Sequence, residues 1–230
     1  MGNCLLKALV IGSSGGIGRA LEARLRAEPR FDAVATLSRS EDGFDICDET
    51  SIADAASNLR IRYGAFDLII NATGALVING NVPEKTIKAL SIDAMMAQFR
   101  VNAIGPALLL KHFHPLMPRE MRSVFASLSA RVGSIGDNRL GGWVSYRAAK
   151  AAQNQIIKTA ALEIARTHPE AIVVTLHPGT VATRLSQPYS SGHQTVTPDH
   201  AAGRLLDVIA NLSPSQSGGF FSYSGQPIDW

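Results

Sequence analysis

A doubly wound α/β domain, with a parallel sheet covered by helices on both faces, is the fold class this sequence predicts. Short apolar runs of strand length alternate with longer segments of helical periodicity along the whole chain, the signature of strands buried on both sides. The first apolar run passes at once into a glycine cluster and then a helical segment, as a strand-to-helix turn facing a ligand requires. With 230 residues, 46% of them hydrophobic, the chain can bury one core, and residues 1–230 read as a single domain.

Residues 6–11 read as the first strand and 16–27 as the first helix, which Pro29 helps to end. Residues 33–37 make a second strand, 43–45 a short third one, and 51–63 a helix. A strand at 66–71 leads through a loop rich in Gly, Asn and Pro to a helical segment at 92–114, which Gly105 and Pro106 are expected to kink. A buried strand at 123–128 and a long helix at 143–167, ended by Pro169, follow. The tail holds a strand at 172–176, a helix at 198–211 and a last strand at 219–222. Six or seven parallel strands joined by right-handed crossovers bind ligands beyond the carboxyl ends of the strands, near the reversal of strand order. Site residues are therefore expected just after Ile11, Leu37, Asp45, Ile70, Leu128 and Leu176.

Composition narrows the partners. The net charge is +3, and the basic residues are scattered, so no stripe invites nucleic acid or an acidic membrane surface; a small molecule is the expected partner. Only Cys4 and Cys47 occur, in places unsuited to a disulfide framework, which favours a reducing, cytoplasmic setting. The start lacks a charged leader, and no apolar run approaches the roughly 20 residues that span a bilayer.

After the first strand come Gly12, Ser13, Ser14, Gly15, Gly16, Ile17 and Gly18, whose backbone N–H groups at a helix start can meet a diphosphate. The glycines alone are a weak signal, because such turns need glycine anyway. Where an acidic residue would hold a ribose 2'-hydroxyl, the chain has Ser38, Arg39 and Ser40. An arginine beside hydroxyls suits a 2'-phosphate, hence NADP(H) over NAD(H), although Arg39 also reads as an ordinary solvated arginine. Asp45 and Ile46 could border an adenine ring, or Asp45 could simply form a turn or cap a helix. Tyr146 and Lys150 stand at i and i+4, stacked on one helix face, where the cation is expected to lower the phenol's pKa. Chance places such a pair in about one chain in ten of this composition, so context must decide it.

That context is the order of motifs: the glycine loop, Asn71-Ala72-Thr73-Gly74, Asn102, Tyr146 with Lys150, and Pro178-Gly179-Thr180-Val181-Ala182-Thr183. The whole chain resembles the short-chain dehydrogenase/reductase family, with its Rossmann-type sheet. The stretch Ser129-Ala130-Arg131-Val132-Gly133-Ser134-Ile135, with Gly141-Gly142-Trp143 and the ending Phe221-Ser222-Tyr223-Ser224-Gly225, is similar to the C-factor-like branch.

The resemblance implies an oxidoreductase that interconverts a carbonyl and an alcohol. In it Tyr146 is the general acid/base, Lys150 holds the nicotinamide ribose, and Asn102 anchors a water that resupplies the proton. Asn71, Ala72 and Gly74 would lie by the adenosine ribose, while Pro178, Gly179, Val181 and Thr183 would cradle the carboxamide. It also implies a homodimer or homotetramer, and the small residues Ala148, Ala149, Ala151, Ala152, Ala160 and Ala161 permit close helix approach.

The serine departs from the pattern, because the family's second serine, three residues before a glycine, falls on Ala130. Ser129 is the favoured replacement; Ser134 and no serine at all stay open. His177 reads as a satisfied polar strand end rather than a base. Residues 184–197 suit a mobile substrate loop, and Trp143, Leu185, Tyr189 and His193 are candidate cavity residues, none assigned as a substrate contact. The alternative function is a low-turnover NADP(H)-binding signalling or sensor protein.

Overall fold

The computed structural model describes residues 5–189 and 195–230. Its six strands are β1 (Leu6–Ile11), β2 (Phe31–Leu37), β3 (Leu68–Asn71), β4 (Ser123–Leu128), β5 (Ala171–His177) and β6 (Phe220–Ser222). They form one all-parallel sheet in the order β2-β1-β3-β4-β5-β6. The order reverses between β1 and β3, which opens a crevice at their carboxyl ends.

Side-chain alternation along each strand builds two cores. Leu9, Ile11, Ile69, Phe125 and Val173 face one side of the sheet, under α3 (Glu49–Tyr63), α5 (Gly105–Phe113) and α6 (Val144–Ile164). Their neighbours Ala8, Val10, Ile70, Ala126 and Val174 face the other, under α1 (Gly16–Ala27) and α7 (Pro198–Asn211). Burial on both faces explains why these strands read as unbroken apolar runs. No helix among the described residues is long and apolar enough to cross a membrane.

The expected strand at 43–45 does not form. Ser38 instead caps a one-turn helix, α2 (Arg39–Asp42), accepting from the Glu41 N–H, and Gly43 ends it at φ 67°. Asp45 forms a turn, its carboxylate accepting the Cys47 N–H, while the cap of α3 is Asp48. The helical segment at 92–114 is also not one kinked rod. A turn of π-helix, Arg100–Ile104, separates α4 (Ile92–Phe99) from α5, and Pro106 lies in the first turn of α5. Pro106 has no N–H to return one turn upstream, so the distortion precedes the proline and holds Asn102. Cys47 is a free thiol, and Cys4 lies outside the described residues.

Candidate active site

The glycine loop leaves β1 through Gly12, at φ 88°, and reaches α1 with Gly15 as its N-cap. No side chain caps this end and no acidic residue stands in its first turn, so its orphan N–H groups and positive dipole end stay available for an anion. Two glycines here serve packing. A Cβ on Gly18 would lie 2.1 Å from the Gly12 carbonyl oxygen, and one on Gly12 would lie 3.0 Å from the Ala72 backbone. Ser14 and Gly15 are exposed. This bare, anion-ready turn fits the diphosphate of a dinucleotide.

At the end of β2, Ser38 is buried, and its backbone N–H donates to Asp42 Oδ2 at 2.7 Å. The Asp42 carboxylate is thus engaged at this strand end, while Arg39 is exposed and makes no ion pair among the described residues. Asp45 and Ile46 lie away from the main cavity; Ile46 packs under the π turn, 2.6 Å from where a Cβ on Gly105 would stand.

A cavity of about 780 Å³ occupies the crevice. Of the residues predicted from sequence, Ile17, Ala72, Gly74, Ser129, Tyr146, Lys150, Pro178, Gly179, Val181 and Thr183 line it; Gly12, Ser14, Gly15, Ser38, Arg39, Asn71 and Asn102 do not. Trp143, Leu185 and Tyr189 also line it, with the Trp143 ring edge-on to both Tyr146 and Tyr189. Of the segment 184–197, residues 190–194, and with them His193, lie outside the described residues. The ends of that segment are tied down: Val181 bridges Val196, and the Ala182 N–H donates to the Val196 carbonyl.

Tyr146 and Lys150 both lie on the buried face of α6, with the Lys150 Nζ 5.9 Å from the Tyr146 ring centroid. The expected lowering of the phenol's pKa is not what this environment produces. Burial alone pushes Tyr146 above its ordinary value, and burial brings Lys150 down to about 7. The ammonium donates to Gln153 Oε1 at 2.8 Å and to the Leu128 carbonyl at 3.3 Å. Gln153 in turn donates to Ser127 Oγ, which also accepts from Asn71 Nδ2. A buried polar chain thus runs beneath the cavity from β3 through β4 to α6. Asn71 joins it from below rather than facing the cavity.

The Asn102 side chain pairs with the backbone of Ala75, accepting its N–H and donating to its carbonyl, and also donates to Gln98. It fastens the loop after β3, and a Cβ on Gly74 would meet Asn102 Oδ1 at 3.2 Å and Lys150 Nζ at 3.5 Å. Ser129 reaches the cavity wall, but its hydroxyl donates to Asn154 Oδ1 at 2.7 Å. Ser134 turns away and accepts the Asp137 N–H. Ala130, which has no hydroxyl, lines the cavity beside Ser129.

Sequence reasoning passed over Glu84. It is buried in the loop after β3, and its carboxylate accepts both the N–H and the hydroxyl of Ser145 at the start of α6. Its carbonyl accepts the Trp143 N–H, with Trp143 in the left-handed region at φ 54°. Arg147 closes the same turn from the other side, donating to the carbonyls of Gly142, Gly141 and Val132. Gln153 was missed as well, though its i+3 spacing from Lys150 was a usable signal; for Glu84 no local pattern exists.

A family model described as short chain dehydrogenase matches residues 6–194. A 1-hydroxy-2-glutathionyl-2-methyl-3-butene dehydrogenase of Rhodococcus is 28% identical, with 96% of this chain and 98% of that protein covered. The C-signal protein of Myxococcus xanthus is 34% identical over 59% of this chain and 78% of its own length, in keeping with the C-factor-like wording of the motifs. Among solved structures, an NADPH-bound carbonyl reductase from chicken fatty liver superposes with a TM-score of 0.83 at 25% identity, covering 98% of this chain and 94% of that one.

Proposed function

This chain belongs to the short-chain dehydrogenase family, and on that premise we propose that it is an NADP(H)-dependent oxidoreductase interconverting a carbonyl and an alcohol, with Tyr146 as the proton donor and acceptor. The observation that carries the reading is the buried Tyr146–Lys150 face of α6 lining a cavity whose other wall is the turn from Pro178 to Thr183.

When bound, the nicotinamide cofactor supplies or accepts the hydride. The chain's own part is binding, orientation and proton handling. The bare N-terminus of α1 is suited to the diphosphate and the exposed Arg39 to a 2'-phosphate. Burial keeps the Tyr146 phenol protonated at neutral pH, the form that can protonate a carbonyl oxygen. Lys150, near its titration point and hydrogen-bonded to Gln153, can orient ribose hydroxyls and relay charge to the phenol. Asn102 serves by holding the loop at Gly74 and Ala75 against the same ammonium.

NADPH oxidation with a panel of aldehydes and ketones tests the proposal. The panel includes carboxylate-bearing members, since among the described residues Arg131, Arg139 and Arg147 line the cavity with Asp137 as the one carboxylate. Turnover is expected, and its loss by at least about a thousandfold in Tyr146→Phe; an unchanged rate in that variant rules the mechanism out. Arg39→Asp is expected to weaken NADPH but not NADH binding, and equal, unchanged affinities would remove the cofactor preference.

A second reading, a low-turnover NADP(H)-binding sensor, has one observation in its favour: the hydroxyls of Ser129 and Ser134 are both engaged elsewhere. It predicts tight NADPH binding with no turnover on the panel.

A further inference from the structure

We propose that His177 supplies, through its Nε2–H, the hydrogen bond to the reacting oxygen of the substrate, at the position where Ala130 offers no hydroxyl. The proposal rests on the carbonyl–alcohol reading above and names a second donor at the oxygen that Tyr146 protonates.

Position comes first. His177 ends β5, one residue beyond the paired Leu128 and Leu176, so it stands beside Ser129 at the same carboxyl edge. It lines the cavity together with Tyr146, Lys150 and Ala130. Its ring is fixed by the backbone of the neighbouring turn, the Arg131 N–H donating to Nδ1 at 3.3 Å. A nitrogen that accepts an N–H carries no proton, so the neutral ring must carry its own on Nε2. Among the described residues Nε2 has no hydrogen-bond partner, and the half-buried ring borders the cavity.

Charge state comes next. Burial, with Arg131 adding to it, lowers the His177 pKa to about 4. The ring is therefore a neutral donor across the range in which the enzyme would work. Asp137, the one carboxylate lining this cavity among the described residues, opposes that shift without reversing it. A neutral imidazole is a very weak acid in its own right, and one whose protonated form loses its proton this readily is also a poor base, so the ring exchanges no proton with the substrate. Its role is to hold the carbonyl oxygen and to strengthen that bond as negative charge develops there, while the proton comes from Tyr146.

The alternatives for this donor are weaker. Ser129 gives its one hydroxyl proton to Asn154, and Ser134 is not at the cavity. The turn cannot easily shift to free Ser129, because Gly133 packs on the helix that carries the catalytic pair: a Cβ there would lie 2.9 Å from the Lys150 backbone.

The test uses 4-nitrobenzaldehyde and NADPH with the full-length protein. His177→Leu is expected to lower kcat/KM roughly a hundredfold, the usual cost of one such donor, with the NADPH dissociation constant changed less than twofold. His177→Gln, whose amide N–H can stand near Nε2, should stay within tenfold of the parent. Adding Ala130→Ser to His177→Leu should recover at least tenfold, an outcome that a merely structural role for the ring does not produce. A His177→Leu variant within threefold of the parent, or no recovery from Ala130→Ser, overturns the proposal. Should His177→Leu fail to fold, the ¹⁵N spectrum of the parent protein decides: a proton on Nε2 at pH 7 is expected, and a proton on Nδ1 or on both nitrogens overturns it. Tyr146→Phe, run alongside, keeps the two readings apart, since turnover surviving there sinks the mechanism itself and not the assignment of His177.

Discussion

Two helices begin at the carboxyl edge of the sheet and reach the same cavity, and their first turns are built in opposite ways. Helix α1 starts at Gly15 with no side-chain cap and no acid in its first turn. Helix α6 starts behind a left-handed Trp143, with its Ser145 N–H and hydroxyl taken by the buried Glu84 carboxylate and the preceding carbonyls taken by Arg147. Each end has the same orphan donors and the same positive dipole end. The first has no side-chain partner, while at the second Glu84 holds the Ser145 N–H next to Tyr146. On the proposed function the bare start is a binding device and the braced one a positioning device, and they can be told apart by substitution.

The largest expected effect is at the end braced by Glu84. Glu84→Leu removes the acceptor of two buried donors and should cost about 2–3 kcal/mol in denaturant unfolding, with lower kcat and unchanged NADPH affinity. Glu84→Gln, which keeps an acceptor, should recover more than half. A variant that instead loses NADPH affinity breaks the division of labour.

The bare end should respond with opposite signs. Ser14→Asp brings a carboxylate to the exposed start of α1. NADPH binding should weaken by roughly tenfold or more, while stability holds or rises by a few tenths of a kcal/mol. Calorimetric titration and a thermal melt separate the two effects, and parallel losses in both would show that the end is structural.

Acidity should act through the α6 side of the cavity, where His177 and Lys150 lie. His177 is lowered from 6.5 to about 4, so between those values the unfolded chain binds a proton that the fold refuses. Stability is accordingly present above pH 6.5 and falls as pH drops toward 4. Lys150, lowered from 10.5 to about 7, acts in the same direction at higher pH, so stability rises from pH 7 toward 10. Chemical denaturation across pH 4–10 checks both slopes; a flat profile contradicts the burial of these groups. The smallest effect concerns assembly. The small-residue face of α6, where Ala148, Ala151 and Ala152 are only half-buried, is the expected contact of a homodimer or homotetramer. Sedimentation at micromolar concentration showing only monomer would remove it.

Much of the fold was legible because its signals are local. Burial on both faces made the strands visible as short apolar runs, and the glycine loop and the i, i+4 spacing of Tyr146 and Lys150 need only a strand or a helix to acquire meaning. Where local reading failed, side chains had competed for the backbone. Ser38 and Gly43 turned the expected strand at 43–45 into a one-turn helix and a bend, and Pro106 displaced the irregularity of the 92–114 segment into the π turn that holds Asn102.

By itself the sequence determined the parallel α/β architecture, the family and the residues of α6 that line the cavity, since periodicity and motif order are properties of the chain. Only the tertiary structure decided which groups are spoken for. Glu84 meets Ser145 across 61 positions, Arg131 meets His177 across 46, and Ser129 gives its hydroxyl to Asn154 across 25. No local pattern encodes such pairings, because a hydrogen bond depends on where the folded backbone brings two groups and not on their spacing along it. The Tyr146–Lys150 pair could be read from the sequence, whereas the donor proposed for the substrate oxygen rests on a contact that only the fold creates.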